Sequence, residues 1–205
     1  VPYVNITLII LNALVFLYML TLSQLSLERF VFTFGVVPVE IQRGQDLYTL
    51  ITSQFVHGGW LHIFGNMIFL WVFGDNIEAV LGHWLYLAFF IGAGILAGLA
   101  HVLFNPNSAI PSIGASGAIA GVLGAYIVLF PSREIRVLII ALPTRVSAIA
   151  FLGVWALLQL FNGLASLGVP TVETSGVAVW AHIGGFAVGL AVGAVARRAG
   201  GQNRG

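Results

Sequence analysis

Six runs of about 20 predominantly apolar residues leave this chain few ways to fold, because a run of that length crosses the hydrocarbon of a bilayer as a helix. They fall at about 4–22, 60–80, 84–104, 114–130, 146–163 and 178–196. Turn and polar residues separate them, as in NPNSAIPS (105–112) and PSREIR (131–136). Charge is correspondingly scarce. Only 7% of residues are charged and the mean hydropathy is +1.02, whereas a soluble domain carries about 25% charged residues. The expected fold is an all-α polytopic membrane bundle of six transmembrane helices, forming a single domain over 1–205.

The remaining composition mostly excludes. A net charge of +1 provides no basic field for nucleic acid, and with no Cys there is neither a disulfide framework nor a thiolate metal site. The first apolar run lacks a basic n-region and a clear A-x-A end, so no cleavable signal peptide is expected. The stretch from Ser23 to Gly59 is long, and RFVFTFGVV followed by EIQRGQD suggests short interfacial helices. No soluble second domain is visible.

All the cations apart from His are arginines. Arg133, Arg136 and Arg145 flank the fourth loop, and Arg197, Arg198 and Arg204 follow the last span. An even number of spans puts both groups on one side, which the positive-inside rule makes cytoplasmic. The other side holds Arg29 and Arg43 with Glu28, Glu40, Asp46 and Glu173. Spans two, four and six then run from outside inward, with both termini cytoplasmic.

Polar residues within spans are functional candidates by default, and here they share a depth. Ser116 opens span four, His182 lies in the first turns of span six, and His62 and Asn66 lie in the first two turns of span two. At about 1.5 Å per residue, all four sit within roughly 10 Å of the outer boundary. His62 and Asn66 are four residues apart and share a helix face. A Ser, two His and an Asn at one depth have the parts of an acyl-transfer site. His182 would be the general base toward Ser116 and would return the proton to the leaving amine. No carboxylate lies in the outer half of any span, and Glu173 is in a loop, so a Ser–His dyad is expected. The Ser116 backbone N–H, helped by Asn66 and His62, would hold the oxyanion. Gly114 and Gly117 leave room beside the nucleophile.

Small residues mark how the helices would meet. Gly117, Gly121 and Gly124 or Ala125 line one side of span four, and Gly185, Gly189 and Gly193 form a G-x-x-x-G stripe on span six. Such stripes let backbones approach closely in lipid, which would bring Ser116 within reach of His182.

Three segments carry a family resemblance: HGGWLHIFGNMIFLWVFGDNIE (57–78), GASGAIAG (114–121) and AHIGGFAVG (181–189). In this order, on spans two, four and six, they resemble the H-x-x-x-N, G-x-S-G and A-H-x-x-G elements of the rhomboid intramembrane serine proteases, of the minimal six-span prokaryotic type. The resemblance implies Ser116 as nucleophile, His182 as base, and His62 and Asn66 in the oxyanion region. It implies single-span membrane proteins as substrates, in a lipid bilayer that would be a prokaryotic plasma membrane, with no cofactor. Two positions depart from the pattern. Tyr48-Thr49 stands where many relatives have Trp-Arg, and Ala120 stands where some have an aromatic under the catalytic His.

The other polar and aromatic residues receive structural readings. His57 and His62 splay at i, i+5 with no H-E-x-x-H, so no metal is expected, and His57 reads as a hydrogen-bonder near the loop. Glu78 reads as a structural hydrogen-bonder at the inner boundary. His83, His101 and most of the five Trp read as interfacial. The small residues around Ser116 suggest crowding, hence a small side chain on the acyl side of the cut bond. The alternative function is a catalytically inactive rhomboid-like protein that binds membrane clients.

Overall fold

The computed structural model describes residues 1–139, 142–167 and 178–202; Glu173 and Arg204 lie outside them. Helix α1 (Tyr3–Met19) is followed by three short helices in the first loop, α2 (Gln24–Phe34), α3 (Pro38–Gln42) and α4 (Thr49–Thr52), and a 3-10 turn at Ser53–Phe55. Span two is α5 (Trp60–Phe69), a π turn (Leu70–Gly74) and α6 (Asp75–Leu81) in continuous succession. Then come α7 (His83–Phe104), α8 (Ser116–Leu129), strands β1 (Glu134–Ile139) and β2 (Leu142–Ser147), α9 (Ala148–Ser166) and α10 (Val179–Gln202).

Among the described residues four helices are long and apolar enough to cross a membrane: Trp60–Leu81, His83–Phe104, Ala148–Ser166 and Val179–Gly200. The other two apolar runs form shorter helices, Tyr3–Met19 and Ser116–Leu129. Length is offset by position in α8. Every residue from Gly117 to Tyr126 is buried, so this 14-residue helix is the centre of the bundle, wrapped by its neighbours. By contrast α9 exposes Val154, Leu157, Phe161 and Leu164, an apolar face suited to lipid.

The glycine stripes interlock. A Cβ on Gly185 would strike the Gly117 carbonyl, one on Gly189 the Gly121 carbonyl, and one on Gly193 would lie 2.9 Å from the Ala125 carbonyl. Backbone therefore packs directly on backbone between α8 and α10, which only residues without side chains permit.

The first loop straps the segment that precedes α8. Val36 and Ser112 exchange backbone bonds at 2.9 and 2.8 Å, and the Gly114 N–H donates to the Ser53 carbonyl at 2.8 Å. At the other end of the bundle, Glu78 accepts from the Val4 and Asn5 N–H groups at 3.0 and 2.7 Å, and bonds His83 Nδ1 at 2.5 Å. Asn5 in turn donates to the Leu70 carbonyl in the π turn and accepts from the Tyr86 hydroxyl. His83 is therefore a partner of Glu78 rather than a merely interfacial residue.

The fourth loop carries a structure that the all-α expectation did not include: β1 and β2 pair antiparallel, Glu134 opposite Ser147 through Ile139 opposite Leu142. Beside a membrane, pairing satisfies backbone groups that a bare loop would leave to the interface. The fold is a helical membrane bundle carrying a two-stranded hairpin.

Candidate active site

Ser116 is the first residue of α8, so its N–H is one of the helix-start donors that lack an i−4 carbonyl. Gly114, two residues earlier, has φ +117°, a left-handed conformation that glycine adopts without strain. Its N–H is tied to the first loop, which fixes the approach of the chain into α8. The sequence thus builds a tight turn that ends in the Ser116 hydroxyl at the start of a helix.

His182 faces that hydroxyl from α10. Its Nε2 lies 2.8 Å from Ser116 Oγ, and the ring is buried. The interlocked glycines account for the reach, because a wider helix pair would separate two such side chains. Among the described residues no carboxylate is hydrogen-bonded to His182, so the described geometry is that of a pair. The ring is braced by Trp155 of α9, with centroids 5.9 Å apart at 38°. Trp155 takes the supporting place that Ala120 leaves open. Trp155 is thus not among the interfacial Trp: helix rotation turns it into the site, and a lone Trp in an apolar run carries no signal of rotation.

His62 and Asn66 reach the same space from α5. A Cβ on Gly114 would lie 2.5 Å from His62 Nε2 and 3.5 Å from Asn66 Nδ2, so both nitrogens border the room that glycine leaves. The Gly58 N–H donates to His62 Nδ1 in a long bond of 3.5 Å. An imidazole that accepts at Nδ1 carries its proton on Nε2, the nitrogen beside Gly114. Three donors therefore converge: the Ser116 N–H, His62 Nε2 and Asn66 Nδ2. His57 lies behind them, buried, with Nε2 2.7 Å from Asn66 Nδ2.

Ser116, His182, His62 and Asn66 line a cavity of about 840 Å³ that also takes in Gly65, Phe69, Ala120 and Trp155. It runs inward along α8 past Ala120 to Leu123, about 10 Å beyond Ser116 at the helical rise. Two of the small residues of α8 face elsewhere. Gly117 packs on Ala97 and Ala181, and Gly121 on Ala93 and the Gly185 carbonyl, so neither narrows the cavity. The side of α8 that lines it presents Ser116, Ile119, Ala120 and Leu123.

The comparisons with known proteins agree with this architecture. The Rhomboid domain family matches residues 44–199. Rhomboid protease GluP of Bacillus subtilis is 30% identical over 146 residues, covering 71% of this chain and 25% of that protein. RHOMBOID-like protein 5 of Arabidopsis thaliana is 30% identical over 150 residues, covering 73% and 44%. Rhomboid protein 1, mitochondrial, of Saccharomyces cerevisiae is 35% identical over 100 residues, covering 46% and 29%. The chain spans less than half the length of each of these relatives. With the family match running from the first loop through α10, this multi-pass membrane protein belongs to the rhomboid family.

Proposed function

We propose that the chain is an intramembrane serine endopeptidase that cuts the spanning helices of other membrane proteins near their outer ends. The observation that carries the reading is the 2.8 Å contact between Ser116 Oγ and His182 Nε2 at a cavity bordered by three convergent donors. His182 Nε2 takes the Ser116 proton as Oγ bonds to the scissile carbonyl carbon. The oxyanion is held by the Ser116 N–H, His62 and Asn66. Collapse breaks the C–N bond, and the departing amine takes the proton from Nε2. A water then repeats the sequence on the acyl-enzyme and frees Ser116.

Substrate access follows from the cavity rim. Leu61 is 91% exposed yet lines the cavity, so the site has an edge facing lipid, and a single-span helix could enter sideways. An intact helix hides its carbonyl carbons, so the segment must unwind locally, which is easiest at Gly, Pro or polar residues. On the acyl side, the attacked carbon directs its oxygen to the donors and its nitrogen to His182. Its remaining substituent turns toward the depth lined by Ala120 and Trp155, which has room for a large apolar side chain. The reading includes both termini on the cytoplasmic side, as the arginines suggest, and a prokaryotic plasma membrane, as the resemblance to the minimal six-span type suggests.

The test is cleavage of a single-span substrate by purified protein in liposomes. Wild type should cut near the outer face and Ser116→Ala should not. A folded wild type that binds such helices without cutting them would favour the inactive client-binding alternative.

A further inference from the structure

His57 takes no part in the proton transfers above, yet it is 1% exposed and, among the described residues, its side-chain partner is Asn66. An Asn amide has two orientations of nearly identical shape, which differ only in whether nitrogen or oxygen occupies a given place. The difference is decisive beside Gly114. Nitrogen there offers a second N–H to an oxyanion, whereas oxygen would offer lone pairs and repel it. We propose that His57 is a positioning residue for the oxyanion site: by accepting at Nε2 it keeps the Asn66 amide turned nitrogen-first toward the cavity beside Gly114. The proposal rests on the protease reading given above.

The chemistry is that of a matched pair. Asn66 Nδ2 carries two hydrogens, one directed to His57 and the other left for the substrate. Turning the amide over would set Oδ1 against the Nε2 lone pair at 2.7 Å, two acceptors face to face. Only the neutral ring protonated at Nδ1 enforces this, and burial, reinforced by His62 nearby, pushes His57 down to about 4. The same short segment serves the second side-chain donor. Gly58, the next residue, donates its N–H to His62 Nδ1, and the His57 ring meets the His62 ring edge-on with centroids 5.0 Å apart. His57 and Gly58 together set the hydrogen-bonding faces of both.

The experiment is a double-mutant cycle on the full chain in liposomes, with kcat and KM measured separately on a single-span substrate. His57→Ala should lower kcat about 10- to 100-fold, to the level of Asn66→Ala, with KM changed by less than about twofold. In an Asn66→Ala background, His57→Ala should have no further effect on kcat. Equal losses in both backgrounds would overturn the proposal, since a purely structural residue acts whether or not Asn66 is present. Should His57→Ala not fold, two replacements decide. His57→Gln carries an acceptor at the reach of Nε2 and should keep kcat within about fivefold, whereas the shorter His57→Asn should fall to the Asn66→Ala level. Equal activities of the Gln and Asn variants would overturn it. Failure of the protease reading would look different, since wild type itself would not cut.

Discussion

At the inner end of span two, the Glu78 carboxylate accepts from two backbone N–H groups and meets His83, while Asn5 uses its amide on the Leu70 carbonyl and the Tyr86 hydroxyl. At the outer end of the same span, Asn66 spends one N–H on His57, and His62 accepts from Gly58 while its Nε2 faces open space beside Gly114. Both clusters place polar groups at membrane depth, where an unmet donor is costly. The inner one closes its hydrogen bonds on itself, and the outer one keeps donors turned into a cavity. Saturation marks a joint between helices, and donors held open mark a place for a reacting charge.

Breaking the outer cluster should have the largest effect. Ser116→Ala and His182→Ala should each lower kcat by at least about 10⁴-fold, because groups that act as a unit fail together. Thermal unfolding in detergent should stay near wild type for both, and a fluorophosphonate probe should label wild type alone. Single donors come next. Asn66→Ala and His62→Ala should each cost about 10- to 100-fold in kcat, less than a sole oxyanion donor, because three groups share the charge. An unchanged kcat in either would remove that residue from the comparison.

The inner cluster should answer the other way. Glu78→Ala leaves the Val4 and Asn5 N–H groups without their acceptor and should lower stability by about 1–3 kcal/mol. The kcat of the folded fraction should change by less than about threefold. A stable Glu78→Ala protein with crippled turnover would erase the distinction between the two ends. The smallest effect concerns size. Ala120→Phe should fill the depth below Ser116 and shift preference from Phe toward Ala on the acyl side by about tenfold in relative kcat/KM. If wild type already rejects Phe there, the cavity does not receive that side chain.

Much of this arrangement was legible in the sequence, for physical reasons. Long apolar runs can only be helices in lipid, so the helices fall close to the expected boundaries. Ser116, His182, His62 and Asn66 stood out because polar groups there need a reason, and their shared depth follows from counting residues along helices of known rise. The glycine stripes of spans four and six were legible for the same reason. Helix rotation was not. Trp155 looks like any interfacial Trp until the bundle turns it toward His182, and of the small residues near Ser116 the sequence does not say that Gly117 faces α7 and α10 while Ala120 faces the cavity. Long-range backbone pairing left no trace either. Nothing in Val36 or Ser112 announces their bridge, and the hairpin of β1 and β2 hides in a short segment between spans.

The π turn at Leu70–Gly74 has a consequence for timing along span two. Glu78 comes twelve positions after Asn66, which on an uninterrupted α-helix would put it about 120° round the axis. A π turn takes up roughly one extra residue, about 100° of rotation, so the two ends come back nearly into phase and one helix can address α1 inside and the cavity outside. Gly74 lets the wider turn nestle against Asn5 and Tyr86, both of which a side chain there would strike. The span is therefore indexed by its length as well as by its chemistry. Replacing Val72 with Ile would only disturb packing, whereas deleting Val72 would leave a good apolar helix whose two halves no longer point at their partners.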